Sequence, residues 1–518
     1  MGMGDRVKDG LALLLLIAAT AALRATSFVP AVVDTDEGLY MVQAAAWLEG
    51  GWPLVAVWDM HPVGAPALFA LAFLAFGVGV EAVRLLGLLC VAATACGLFA
   101  LVRGAGGQRS AGLAAGLSYA AYSLALNGLC TNTELLIAPF VTGAMAIGVR
   151  GFVRARAGRA PGWTEILGMG ALIGPALLVK QVVVPEGSLA FALLVGPAWI
   201  AGLLPWRRLL AMALTYAALC AGPFLLMGLV YAVQGWLPQY LDGSLLAPFR
   251  YSLERAAPAE AWRRISSGLL QIGLPIGAGL VALALARLRP TAADRLSWIG
   301  AVWLVVASLG VAAPGFYFAH YFLLLLPPLS VLAAVGLVRL AQAAMAAHWQ
   351  RGGVALLLAG LVAAPWLDEM QRRVEIGPGW LHPDPVRQVA AAMEQVAGRG
   401  ASAFIANYHV TPYVLSGTVP PTRYVFPVHL TGGFEDLSDT SADAELARVL
   451  ATRPRLIVID RGWMHTMRPP AAAAVLAAIG QGYTLAASVA EQRGPVEIWQ
   501  LVADQGAGNG RSMRPSSQ

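Results

Sequence analysis

VGAPALFALAFLAFGVGV, residues Val63–Val80, is the stretch whose reading decides the fold. It is apolar enough to cross a membrane, yet Gly64 and Pro66 break its first turn. Other apolar runs of spanning length, about 20 residues, fall near 9–29, 83–102, 110–128, 133–150, 165–185, 187–204, 208–231, 267–287, 296–314, 317–338 and 353–367. Lys and Arg accumulate in short loops on the cytoplasmic side. With the N-terminus inside and Val63–Val80 left out of the count, those loops hold Arg103 and Arg109; Arg150, Arg154, Arg156 and Arg159; Arg207 and Arg208; Arg287, Arg289 and Arg295; Arg339 and Arg351. If Val63–Val80 spanned, each of them would move outside. The stretch is therefore read as non-spanning or re-entrant. The expected chain is a polytopic α-helical membrane protein of about 11 transmembrane helices, with a cytoplasmic N-terminus.

Composition agrees. Of 518 residues, 58% are hydrophobic and only 12% charged, with mean hydropathy +0.66, whereas soluble domains carry roughly 25% charged residues. The net charge of +6 is dispersed among apolar runs, which excludes a nucleic-acid partner and leaves the bilayer. Cys90, Cys96, Cys130 and Cys220 lie in or beside apolar segments without a CxxC pair, and read as small hydrophobes. The first run lacks an A-x-A cleavage site before a polar start, so it reads as a retained helix and not as a signal peptide.

This topology gathers polar residues on the outer face. After the first run comes VDTDEGLY, Val33–Tyr40, with three acids in four residues. Asp34, Asp36 and Glu37 are either a helix start, where acids favour the dipole, or chemistry. The following Gly38–Leu48 would form an amphipathic helix with Leu39, Val42, Ala46 and Trp47 on one face. A Trp/Pro-rich segment with Asp59 and His61 then stays outside. Glu134 opens another apolar helix at the same face and would also serve as an N-terminal helix acid. Lys180, in ALLVKQVVVP, sits near the outer end of a span, either snorkelling to the interface or facing a polar cavity, since an intramembrane ammonium is expensive. Arg250, Arg255, Arg263 and Arg264 occupy the outer 232–266 loop, where positive charge is scarce, and so ask for a phosphate or a phospholipid headgroup. His320, a structural histidine or a site group, ends another span.

Beyond about residue 368 the pattern changes. Pro385–Val396 and AAAAVLAAIG read as helices; ASAFIANY, RLIVID, YTLAASV and VEIWQLV read as strands. Alternation of this kind predicts a small α/β domain over 368–504. The Gly/Ser/Pro-rich tail 505–518 is expected to be disordered.

In order, DTDEGLY, HPVGAPALF, TNTELLIAPF, LLVKQ, FAHYFLLLLPPLS and NYHVTPYVLSGTVPPTRYVFPVHL resemble the GT-C superfamily of membrane glycosyltransferases. The specific likeness is to glycosyltransferase family 39, the protein mannosyltransferases, with bacterial aminoarabinose- and galacturonosyl-transferase relatives. The resemblance implies a catalytic transmembrane domain over 1–367, with a first outer loop at 30–82, and an extracytoplasmic C-terminal domain. It implies transfer, with inversion, of a sugar from a polyprenyl-phosphate donor to an envelope lipid or glycan such as lipopolysaccharide. A protein acceptor and a lipid-linked-sugar flippase are the alternatives. By that likeness Asp36, with Glu37 beside it, is the catalytic acid of the first loop. Lys180, His61, His320, Arg263 and Arg264 would bind the donor phosphate, while Asp34, Tyr40, Asp59 and Glu134 would support the acceptor side. A divalent metal, if used, would fall to Asp36 and Glu134.

Overall fold

The computed structural model describes residues 3–288, 294–344, 350–375, 377–434 and 440–502. Helix α1 (Met3–Arg24) carries the first apolar run; α2 (Thr35–Leu48) and α3 (Gly64–Phe76) follow before the long α4 (Val80–Gly104). The decisive stretch thus folds as a 13-residue helix. At a rise of about 1.5 Å per residue it is too short for a hydrocarbon core of about 30 Å. Gly64 explains its placement: a Cβ there would lie 2.5 Å from the Leu178 carbonyl, so only glycine lets this helix start against the residues before Lys180.

Helices α5 (Arg109–Tyr122), α6 (Thr133–Arg156), α7 (Trp163–Val179), α8 (Val184–Ile200) and α9 (Trp206–Val233) continue the bundle. A helical loop follows, of α10 (Leu237–Leu241), a π-helical turn (Asp242–Leu246), α11 (Ala247–Leu253) and α12 (Pro258–Gln271). Then come α13 (Gly273–Leu288), α14 (Asp294–Ala312), a 3₁₀ segment (Ala319–Leu325), α15 (Leu326–Ala344) and α16 (Gln350–Glu375). Among the described residues eight helices are long and apolar enough to cross a membrane, or nine if the α12–α13 pair, bent by 73°, counts as one span. The protein is a multi-pass membrane protein. The runs at 110–128 and 165–185 form the shorter α5 and α7.

Two local expectations are corrected. Helix α2 is not amphipathic: Glu37 to Ala44 are all buried, with α3 packed against the helix and Arg84 and Thr131 covering Glu37. Lys180 is not inside a helix. It is extended (φ −159°, ψ 128°) at the break between α7 and α8. Proline at the start of α8 fixes that restart, since Pro suits the first helical turn.

The chain divides into two compact units, Met1–Asp384 and Pro385–Gln518. The second holds α17 (Pro385–Ala397), β1 (Ala403–Ile405), α18 (Thr411–Ser416), α19 (Pro427–Leu430), α20 (Ala442–Ala451), β2 (Leu456–Asp460), α21 (Pro469–Gly482), β3 (Tyr483–Val489) and β4 (Val496–Leu501). Its sheet has the order β1-β2-β4-β3. Strand β1 pairs parallel with β2 (Phe404 opposite Ile457), and the other two pairings are antiparallel. The uninterrupted apolar run of β2 is buried throughout, as a central strand requires. Arg289, the side chain of Arg351 and the tail from Gln505 lie outside the described residues.

Candidate active site

Asp34 caps α2: its Oδ1 accepts the Asp36 N–H at 3.3 Å. Its Oδ2 accepts Asn127 Nδ2 at 3.2 Å and faces His320 Nδ1 at 3.2 Å. The other nitrogen of His320, Nε2, lies 3.8 Å from Asp36 Oδ2. One imidazole therefore bridges two carboxylates, the N-cap of α2 and a residue of its first turn. Burial works against the charge on Asp34, but the His320 ring, the Asp36 N–H and Asn127 outweigh it and lower its pKa to about 2. Asp36 goes the other way, raised to about 6 by burial and by the adjacent Asp34 charge, against the opposing pull of His320 and His61. Its side chain is 31% exposed. Asp36 is thus a carboxylate of enhanced basicity that a ligand can still reach.

Glu37, expected beside Asp36 in catalysis, is occupied elsewhere. It is 1% exposed; Oε2 pairs with Arg84 at 2.8 Å and Oε1 accepts the Thr131 N–H at 2.7 Å. It faces α4 because adjacent residues of a helix point about 100° apart. Arg84 also donates to the Leu129 carbonyl at 3.0 Å. Beside it, buried Arg24 donates to the carbonyls of Gly128 (2.8 Å), Leu129 (3.1 Å) and Ser123 (3.2 Å). Together they clamp a tight turn in which Leu126 and Asn127 both have positive φ, 60° and 59°, so that Asn127 reaches Asp34. The sequence reading missed Arg24 and Arg84. The signal was available: both stand at the outer ends of apolar runs, the same anomaly that marked Arg263 and Arg264.

Lys180 donates to Glu134 Oε1 at 2.5 Å, and both are buried. Glu134 is consequently not paired with Asp36 as a metal ligand. Among the described residues, the group that comes within reach of one cation is Asp34, Asp36 and His320, whose ligating atoms lie within 4.8 Å of one another. The Lys180 ammonium also stands 4.8 Å from the Tyr321 ring centre. Asp59, buried, accepts the Met60 N–H at 2.6 Å and holds His61 Nδ1 at 3.1 Å. Tyr40, also buried, packs edge-on against His61 and Phe69.

His61 and Lys180 stand at the polar end of a cavity of about 410 Å³, with Tyr251 and Tyr321 beside them. Gln181 and Ser252 aside, the rest of its wall is apolar, including Val184, Leu245, Phe249 and Leu309, all of which are exposed on the bundle surface. The groove thus opens sideways, where lipid would lie. It is built from the α7–α8 break, the 245–252 segment and the end of α14, with Met60 and His61 from the first loop.

Arg263 and Arg264 do not reach the groove. Both bind Glu260, Arg263 at 2.6 and 2.7 Å and Arg264 at 2.6 Å, since positions i, i+3 and i+4 share a helix face. Arg263 is 69% exposed. Arg264 donates to the Phe316 carbonyl at 2.9 Å and covers the Phe318 ring at 4.5 Å. Arg250 pairs with Asp242.

Residues 60–226 match the family described as dolichyl-phosphate-mannose-protein mannosyltransferase. Among solved structures the chain is similar to ArnT from Cupriavidus metallidurans bound to undecaprenyl phosphate, with TM-score 0.64 and 14% identity over 94% of this chain and 97% of that one. It is also similar to the archaeal oligosaccharyltransferase AglB from Archaeoglobus fulgidus in complex with an inhibitory peptide and a dolichol-phosphate, with TM-score 0.53 and 10% identity over 93% and 73%. A comparison with curated protein sequences finds no match. The chain shares the fold of the ArnT and AglB structures, as the sequence resemblance led one to expect.

Proposed function

We propose that the chain is a membrane glycosyltransferase that moves a sugar from a polyprenyl-phosphate donor to a hydroxyl of an envelope lipid or glycan. The observation that carries the reading is the side-opening apolar groove whose polar end, with Lys180 and His61, belongs to the same bundle end as Asp34, Asp36 and His320. A long isoprenoid suits the apolar wall, and a phosphate suits Lys180 and the His61 imidazole. The polyprenyl phosphates named in the ArnT and AglB structures are consistent with this class of lipid.

Asp36, ionised, takes the proton of the acceptor hydroxyl as its oxygen attacks the anomeric carbon. The C1–O bond to the phosphate breaks with inversion, and the phosphate leaves carrying its electron pair. It needs positive charge more than a proton, which Lys180 and His61 supply. Asp34 and His320 hold Asp36 in place. Should a divalent cation bind, Asp34, Asp36 and His320 would hold it, and it would neutralise carboxylate charge beside the departing phosphate.

The arginine distribution supports a cytoplasmic N-terminus with the site and the Pro385–Gln518 unit outside, and the envelope acceptor proposed above would place the protein in a bacterial plasma membrane. The family matched at 60–226 favours a protein hydroxyl as the second acceptor reading. The test is purified protein in lipid, given a panel of polyprenyl-phosphate sugars with an envelope lipid extract or a Ser/Thr-rich peptide. Sugar reaching the extract is expected; donor carried across vesicles without transfer to either acceptor would replace the enzyme by a flippase.

A further inference from the structure

Between the groove and the carboxylates runs a stack of four aromatic rings, of which the mechanism uses only His320. Tyr251, which lines the groove, stacks on Phe316 at 4.4 Å and 24°. Phe316 stacks on Phe318 at 5.9 Å and 5°, and Phe318 on His320 at 6.1 Å and 19°. The local chain is strained to achieve this. Gly315 has φ +78° and Tyr317 φ +55°, the latter a conformation that a bulky side chain adopts only at a cost and that concentrates at functional sites. The left-handed Tyr317 turns the backbone so that rings two residues apart lie parallel. Arg264 then closes the stack, through its cation–π contact with Phe318 and its bond to the Phe316 carbonyl. Tyr321 meets the His320 ring edge-on at 4.8 Å and 84°.

We infer that Phe318, held under Arg264, is a positioning residue that fixes the plane of the His320 ring and so the direction in which its two nitrogens meet Asp34 and Asp36. A stacked neighbour resists tilting of the imidazole, whereas its two carboxylate partners alone leave the ring free to rock about the line between its nitrogens. The glycine-then-tyrosine strain is retained because it delivers Phe318 to that position. The kinetic part of the inference rests on the proposed transfer activity; the geometric part does not.

The experiment uses full-length protein in lipid nanodiscs with ¹⁵N-labelled histidine, the His320 signals being assigned by their loss in His320→Asn. Phe318→Leu, Phe318→Tyr and Arg264→Met are compared with wild type for His320 nitrogen shifts, donor-lipid binding and transfer across pH. Phe318→Leu is expected to move or broaden both His320 signals, to lower kcat roughly tenfold, since small misplacements in a site cost up to about a hundredfold, and to displace the acid limb of the pH–rate profile while donor binding holds. Phe318→Tyr should restore all three. Arg264→Met, which removes the cap without hollowing the stack, should act in the same direction more weakly. Unchanged His320 signals in both Phe318→Leu and Arg264→Met would overturn the inference. So would donor binding that falls in step with transfer, which would make Phe318 part of the groove. A wild type that transfers no sugar would sink the proposed function alone, and the nitrogen shifts would still decide this point.

Discussion

Asp36 and Glu37 are adjacent acids on one helix, and the fold gives them opposite lives. Glu37 is sealed between Arg84 and the Thr131 N–H. Asp36 keeps a third of its side chain exposed, with the His320 Nε2 3.8 Å away and the Asp34 carboxylate behind. A buried ion pair contributes little net stability but is costly to break; its value here lies in fixing where α2 starts. Charge that is saturated builds the site, and charge left partly unmet is available for chemistry. The same division recurs in the bound Arg264 and in Lys180, whose partner Glu134 a phosphate can compete with.

The largest effect should come from Asp36→Asn. Loss of a general base costs about 10²–10⁴-fold in rate, so transfer should fall by that factor while fold and donor binding persist. Retained transfer would erase the distinction from Glu37. Next is Arg84→Ala, which strands the Glu37 carboxylate and should destabilise the protein by about 3–5 kcal/mol, read as a lowered thermal midpoint. Glu37→Gln should keep the Thr131 bond and cost much less. For the second pair, Lys180→Met should abolish donor-phosphate binding and lower stability together. Adding Glu134→Gln should recover the stability without the binding, as measured by lipid-phosphate titration.

A smaller effect is expected in pH dependence. Because Asp36 acts ionised and its carboxyl is raised to about 6, transfer should decline as pH falls through that value, well above the ordinary Asp value of about 3.9. Asp34→Asn removes the neighbouring charge that raises it, so the acid limb should shift to lower pH. A limb that stays in place would assign it to another group. The smallest effect is Arg263→Ala, expected to leave donor binding unaltered, since its guanidinium is exposed and spent on Glu260.

Much of the architecture was legible in the sequence, because it depends on patterns with a physical period or a charge bias. The arginine loops made Val63–Val80 non-spanning, and it folds as a helix too short to cross. The alternation of apolar strands and helices past residue 385 anticipated all four strands. The site was legible by residue type but not by pairing. Nothing local to VDTDEGLY tells that Glu37 faces Arg84, because that depends on the packing of α2 against α4, far along the chain. Nor could Lys180 be placed at a helix break from an unbroken apolar run. The outer arginines drew attention for a sound reason, scarce positive charge on that side, but Glu260 on the same helix face had already met it. Arg24 and Arg84 carried the same signal and went unread, because they stand inside apolar runs that look complete without them.

The most direct test of the account compares wild type with Asp36→Asn and Glu37→Gln, in lipid, with one polyprenyl-phosphate sugar that the wild type accepts, scoring transfer and donor binding in parallel. Full donor binding is expected of all three, with transfer lost in Asp36→Asn and largely kept in Glu37→Gln. Equal transfer by Asp36→Asn and wild type, or loss confined to Glu37→Gln with the fold intact, would contradict it.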